Sequence, residues 1–312
     1  MSRSRIRRPL LFAFAAVLAS VAASVASSNP GPSAWPTQAV IAYKCADSLC
    51  LTEPGGGAPR RLLATNRPWP QWDPAFSPDG HEIAFRGYWG PGDGAYALYV
   101  ASRSGCTARR LTRSVASDPS WSPDGRWIVF DTSGYGDIYK VHPNGTALTK
   151  LFTGHGVKEG GYPAWSPDGR RIAYVRDQRH GSQIWLMRPD GSDKHLLHID
   201  ATAVDQGLTW SHDGRWLAFD RTATNYGTIA VIRADGSDMH TLTSGSPTWN
   251  PVWLPSDTGI AYLAGTANSN GTIAGGSLYV MRPDGTGKHR LAGPQTIQFA
   301  STAGGLTGRR CK

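Results

Sequence analysis

Four stretches of this chain are nearly the same phrase. "DPAFSPDGHEIAF" stands at 73–85, "DPSWSPDGRWIVF" at 118–130, "YPAWSPDGRRIAY" at 162–174 and "GLTWSHDGRWLAF" at 207–219. A degenerate fifth copy, "PVWLPSDTGIAYL", follows at 251–263. The aromatic before the turn is Phe76, Trp121, Trp165, Trp210 and Trp253, at steps of 45, 44, 45 and 43 residues. A period of that size constrains the fold more than any composition does, because it describes an array of small units that bury their apolar faces against one another.

Each unit has a second half. It reads "LYVASRSGCTARRLT" at 98–112, "IYKVHPNGTALTKLF" at 138–152, "IWLMRPDGSDKHLL" at 184–197, "IAVIRADGSDMHTLT" at 229–243 and "LYVMRPDGTGKHRLA" at 278–292. Ser-Pro-Asp-Gly is turn chemistry: Pro presets φ at the second position, Asp bonds back to the local backbone, and Gly takes the left-handed position. Short apolar runs such as "IVF", "IAY" and "LAF" flank the turn, which is a hairpin signal. The Pro-Asp-Gly of the second half makes another hairpin. Each unit is therefore four short antiparallel strands, a propeller blade. The repeated Asp79, Asp124, Asp168 and Asp213 read as turn residues and not as catalytic acids.

Five units carry both hairpins. Segment 39–63 carries "AVIAY" and "LCLTEPGGGAPRRLL" but lacks an innermost strand, and "TIQFA" at 296–300 follows the last unit where a new innermost strand would begin. Joining the two ends in one blade removes two exposed edges. The expectation is an all-β, six-bladed propeller of four-stranded antiparallel blades at 39–302, its first blade closed by a C-terminal strand. A linker at 28–38 precedes it and a tail at 303–312 follows.

Residues 1–27 read as an export signal. Arg3, Arg5, Arg7 and Arg8 precede an apolar run at 10–26 that ends in small residues. Cleavage takes the net charge from +9 to +5, and the remaining basic residues form no run, so nucleic acid is not expected as a partner. The mature chain is expected without a membrane span, as a monomer, outside the cell, in the cell wall or in the periplasm. Export permits disulfides, and Cys45 and Cys50 flank a short loop where a hairpin bridge fits; Cys106 and Cys311 are a further pair.

"WSPDG-x-x-IAF" followed by "LYVM-x-PDG-x-x-x-x-LT" resembles the TolB-type propeller repeat family. The resemblance covers 39–300 and implies a six-bladed propeller, commonly exported, that binds another protein. Residues 28–38 leave no room for the N-terminal α/β domain of TolB, so the resemblance does not extend to the role of that domain. The repeats also resemble propellers of prolyl-peptidase-like hydrolases, but no G-x-S-x-G nucleophile motif follows.

The two turn classes share one face of the disc. The variable connections "RGYWGPGDGAYA" (86–97), "DTSGYGD" (131–137), "RDQRHGSQ" (176–183), "DRTATNYGT" (220–228) and "AGTANSNGTIAGGS" (264–277) share the other, where binding usually lives. Trp69, Trp72, Tyr88, Trp89, Tyr135, Tyr226 and Trp249 gather there and suit a protein hot spot or stacking on sugars. The residue three before each motif aromatic belongs near the channel mouth: Asp73, Asp118, Tyr162, Gly207 and Asn250, with Asp205 close by. Such oxygen donors around an axis are what a calcium ion takes, and capping of the inner strands is their structural alternative. No other cofactor is implied. His195, His240 and His289 repeat at one outer-strand position, in different blades. The leading expectation is a non-enzymatic binder of a protein, cell-envelope component or carbohydrate through the loop-rich face. The alternative is a lyase- or lactonase-type propeller enzyme with a metal in the channel.

Overall fold

The structure, a computed structural model, describes residues 40–295 and 300–303, apart from 46–47, 53–59, 63–70, 89–95, 106–107, 133–135, 155–160, 179–180, 224–225 and 268–272. The export signal, the linker and the tail lie outside the described residues, as do Trp69, Trp89, Tyr135 and Cys106, and the side chain of Cys45.

Six four-stranded antiparallel sheets form the blades of a β-propeller. Blade 1 holds Val40–Cys45, Ser48–Thr52 and Arg60–Arg61, with Ala300–Ala303 as its innermost strand. Blade 2 runs through Gln71–Phe76, Glu82–Tyr88, Tyr96–Ser102 and Ala108–Arg110. Blade 3 runs through Ser117–Trp121, Ile128–Asp131, Ile138–Val141 and Thr149–Phe152. Blade 4 comprises Gly161–Trp165, Ile172–Gln178, Gly181–Met187 and His195–Asp200. Blade 5 comprises Val204–Trp210, Trp216–Thr222, Gly227–Arg233 and His240–Thr241. Blade 6 comprises Thr248–Trp253, Ile260–Ala267, Ile273–Met281 and His289–Gln295.

Ring closure is C-terminal. The closing strand is described at Ala300–Ala303, pairing Val40↔Ala303 through Tyr43↔Ala300; it takes in Ala300 of the expected "TIQFA", whose other residues lie outside the described ones.

The core explains why the second strands read as unbroken apolar runs. Both faces of a blade are covered by neighbours, so alternation disappears. Tyr43, Phe85, Phe130, Tyr174, Phe219 and Tyr262 occupy one repeat position and are all buried. Each packs on the preceding blade: Phe85 lies with Leu49 and Leu51 of blade 1, and Tyr43 with Leu263 and Leu278 of blade 6. Truncating such an aromatic to Ala costs about 3–5 kcal/mol.

The Ser-Pro-Asp-Gly turns are self-contained. Ser122 Oγ donates to Asp124 Oδ1 at 2.6 Å, and the Arg126 N–H donates to the same oxygen at 3.0 Å. The Gly125 N–H closes the turn on Ser122 O at 2.9 Å, with φ 70°. Ser77–Asp79, Ser166–Asp168 and Ser211–Asp213 repeat the arrangement.

Several connections expected as loops are ladder. Residues 176–183 are mostly strand, paired as far as Gln178↔Gly181, and the partners at 220–228 pair as far as Thr222↔Gly227. Polar residues occupy these strand ends, some of them buried, such as Ser182 and Asp220, so the apolar pattern stops before the hydrogen bonding does.

Candidate functional site

The inner strand of five blades breaks its ladder at the same place. The register shifts between Trp72 and Ala75, Ser117 and Ser120, Gly161 and Ala164, Gln206 and Thr209, and Trp249 and Val252. Within each bulge Asp73, Asp118, Tyr162, Gly207 and Asn250 are left-handed, with φ from 49° to 60°. Left-handed backbone is costless for Gly, tolerated by Asp and Asn and strained for Tyr. Pro74, Pro119, Pro163 and Pro251 come next. A bulge is where a strand accommodates Pro, because no ladder donor is lost there.

These five residues line a central cavity of about 500 Å³. Its wall continues through Trp121, Trp165, Trp210 and Trp253 to Pro78, Pro123, Pro167, His212 and Pro255 at the turns. They are thus bulge residues in the channel wall, not caps at the starts of the inner strands.

Carboxyls behind the wall tie one blade to the next. Asp131 Oδ2 accepts the Tyr162 N–H at 2.9 Å, and its Oδ1 accepts from Ser117 Oγ. Asp220 Oδ1 accepts the Asn250 N–H at 2.5 Å. The Asp118 N–H faces Asp73 Oδ2 at 3.5 Å, and Asp73 pairs with Arg86 at 3.2 Å. Trp121 and Trp210 donate Nε1–H to Ala75 O at 3.0 Å and Ala164 O at 3.2 Å, each across a blade boundary.

Sequence reasoning passed over Arg86, Asp131 and Asp220. Each directly follows an apolar triplet ("IAF", "IVF", "LAF"), and a charge at that repeat position was the available signal.

Burial pushes Asp131 up to about 7, against the bonds from Ser117 and Tyr162. Asp118 is held well above the usual carboxylate range by burial and by the neighbouring Asp73 and Asp131. Asp220 is pushed well up by burial, although it accepts the Asn250 N–H. The Tyr162 hydroxyl is raised by burial and then by the charges of Asp118, Asp131, Asp220 and Asp73. No group of three His, Cys, Asp or Glu side chains that could hold a metal ion forms among the described residues.

The other candidates divide. Asp205 is fully buried beside Ser182, whose Oγ accepts its N–H at 2.6 Å, and it does not line the cavity. Trp72, Tyr88 and Tyr96 pack together, with centroids 5.2 Å apart for Trp72–Tyr96 and 5.6 Å for Tyr88–Tyr96. The Arg86 guanidinium lies 5.0 Å from the Trp72 ring. Trp249 packs against the core between blades 6 and 1, and Tyr226 is exposed. Cys50 is buried in Ser48–Thr52, opposite Tyr43. His195 and His240 are exposed, and each ring Nδ1 meets a carbonyl two residues back.

A profile of the TolB beta propeller domain matches residues 131–303. The chain belongs to that family. This TolB-type propeller is 30% identical over 115 residues to the Protein TolB homolog of Chlorobium luteolum, covering 36% of this chain and 26% of that one. It is 32% identical over 110 residues to an uncharacterized protein of Agrobacterium fabrum, covering 33% of this chain and 35% of that one. The aligned part therefore spans about a third or less of these curated relatives. The crystal structure of TolB from Acinetobacter baumannii superposes with a TM-score of 0.72 at 20% identity, over 86% of this chain and 67% of that one. An oligogalacturonate lyase in complex with manganese superposes at 0.51 and 14% identity, over 82% of this chain and 74% of that one. Both likenesses concern the fold. Among the described residues no helix is long and apolar enough to cross a membrane.

Proposed function

We propose that this TolB-type propeller is an exported, non-enzymatic binding protein that holds a protein or cell-envelope component at the loop-rich end of its channel. One observation carries the reading. Five blades bring the same left-handed backbone to one cavity and hang a different side chain on it in almost every blade: Asp73, Asp118, Tyr162, Gly207 and Asn250. A fixed frame with varied side chains is the layout of a recognition surface. The carboxyls there are engaged as acceptors of backbone N–H groups between blades, which suits a rigid wall. Trp72, Tyr88 and Tyr96 add an aromatic cluster beside it on blade 2. Residues 1–27 act as a cleaved signal, a Cys45–Cys50 bridge pins the first hairpin, and the mature chain works as a monomer.

The test starts from a pull-down from the envelope fraction with the mature chain as bait. The purified partner is then titrated calorimetrically against folded variants. Trp72→Ala is expected to weaken binding by about 2 kcal/mol or more, as truncated interface aromatics do. Asp190→Asn, in an outer turn, is expected to leave affinity unchanged. The opposite pattern would move the binding face to the turns.

A further inference from the structure

We propose that the groove between the turns of blades 4 and 5 binds a short neutral oligosaccharide. The inference is separate from the binding reading above, since it concerns the turn face of the disc and a different ligand.

Blade 5 departs from the repeat at this point. Its phrase reads Ser-His-Asp-Gly, so His212 stands where Pro78, Pro123 and Pro167 stand in blades 2, 3 and 4. Proline has no N–H, whereas His212 has one to satisfy. Asp257, in the irregular Pro255–Asp257 turn of blade 6, supplies the acceptor. Its Oδ1 accepts the His212 N–H at 2.7 Å and lies 3.2 Å from Nδ1 of the ring, and its Oδ2 accepts the Asp213 N–H at 2.9 Å. The imidazole is thereby oriented through Nδ1, and Nε2 is left for a guest. The motif aromatic changes in the same blade. Phe76, Trp121, Trp165 and Trp253 are buried, whereas Trp210 keeps part of its surface open.

These departures meet in a groove of about 530 Å³, a size that accommodates a compact ligand. Its wall joins Trp210 and His212 to Asp168, Arg171, His195 and Asp213. The polar groups are held in place. Asp168 and Asp213 each accept a Ser hydroxyl and a backbone N–H through Oδ1, and neither accepts a hydrogen bond at Oδ2 among the described residues. The His195 ring meets Asp193 O at 3.1 Å through Nδ1, so Nε2 is its second polar atom, like that of His212. The Trp210 ring is tethered by its Nε1–H to Ala164 O at 3.2 Å.

This composition selects the ligand. Arg171 is already bonded to Asp193 at 2.9 Å, so the groove has no surplus of positive charge to draw an anion, and a sugar acid would meet Asp168 and Asp213. Carboxylates accept only, while an imidazole both donates and accepts; a hydroxyl, which also does both, can meet either group. A sugar carries hydroxyls around its rim and a patch of C–H on its face. The rim matches the fixed oxygens and ring nitrogens, and the C–H patch matches the flat apolar surface of an indole. Among the described residues no three ligands converge here as a metal ion requires.

The experiment titrates the mature chain with cellotriose, maltotriose and chitotriose, followed by Trp fluorescence and by the histidine ring resonances in NMR. At least one trimer is expected to bind saturably and to move the signals of His195 and His212, and trigalacturonate is expected to bind more weakly than that trimer. Three variants carry residues that the repeat already uses at the same positions, so the fold accommodates them. They are His212→Pro as in blades 2 to 4, His195→Thr as Thr149 in blade 3, and Trp210→Phe as Phe76 in blade 2. Each is expected to weaken the trimer roughly fivefold or more, the worth of one hydrogen bond or of lost stacking surface. Circular dichroism confirms that each variant is folded. The absence of saturable binding by every neutral trimer, trigalacturonate as the tightest ligand, or an affinity that His195→Thr and His212→Pro both leave unchanged would overturn the proposal.

Discussion

Asp205 offers the sharpest test of how this propeller holds its charges. It lies on the innermost strand of blade 5, fully buried, and neither carboxylate oxygen has a hydrogen-bond partner among the described residues. The groups nearby are otherwise engaged. Ser182 Oγ accepts the Asp205 N–H and faces Ala203 O at 3.3 Å, while the Arg221 guanidinium is taken by Asp200 and by Thr202 Oγ1. Asp200 adds negative charge that raises the carboxyl further, while the Ser182 hydroxyl and Arg221 act the other way without offsetting burial. Burial, the largest cause, pushes the Asp205 carboxyl from 3.8 up to about 7. The unfolded chain therefore releases this proton near pH 4, while the folded chain keeps it to about pH 7. A raised carboxyl contributes nothing below pH 4, lowers stability progressively between the two values, and holds that penalty above them. Between pH 5 and pH 8 the loss from this one residue amounts to roughly 2–3 kcal/mol. Asp205→Asn keeps the volume and carries no proton. The variant is expected to gain on the wild type by about that amount from pH 5 to pH 8, whatever their order at pH 5. Urea unfolding followed by Trp fluorescence at the two pH values measures the gap. A gap that stays constant, or that moves in favour of wild type, would refute the buried, unpaired carboxyl.

Three further outcomes are expected. A chain stopped at Gln295 lacks the strand that pairs with Val40–Tyr43, so its melting temperature should fall; an unchanged value would contradict closure through blade 1. Asp131→Ala strands the Tyr162 N–H and the Ser117 hydroxyl and should cost about 2–4 kcal/mol at pH 5, where Asp131→Asn, which keeps an acceptor, should be milder; equal effects in denaturant titration would remove the inter-blade role. Exported protein should begin between residues 24 and 30, and mass spectrometry that finds Met1 on that form would rule out cleavage.

Much of this molecule is legible in one dimension. Ser-Pro-Asp-Gly can do little but turn, because its bonds run between Ser122, Asp124 and Arg126, all within five residues. A turn of that kind every 43 to 45 residues, between apolar triplets, leaves few folds besides a propeller. The last strand was harder to place. Its pairing with Val40–Tyr43 joins residues about 260 apart, and no local preference separates "TIQFA" from "ASTA".

The channel shows the same division. The sequence by itself determined the repeat, the blade count and the ring of Asp73, Asp118, Tyr162, Gly207 and Asn250, since spacing alone brings equivalent residues of successive blades to one axis. Only the tertiary structure decided that these residues are left-handed bulges, that Asp131 and Asp220 stand behind them as acceptors for the next blade, and that Asp205 is shut away from the cavity. The physical reason is that hydrogen bonding within a turn is local, whereas the protonation and partners of a buried carboxyl depend on what neighbouring blades bring against it.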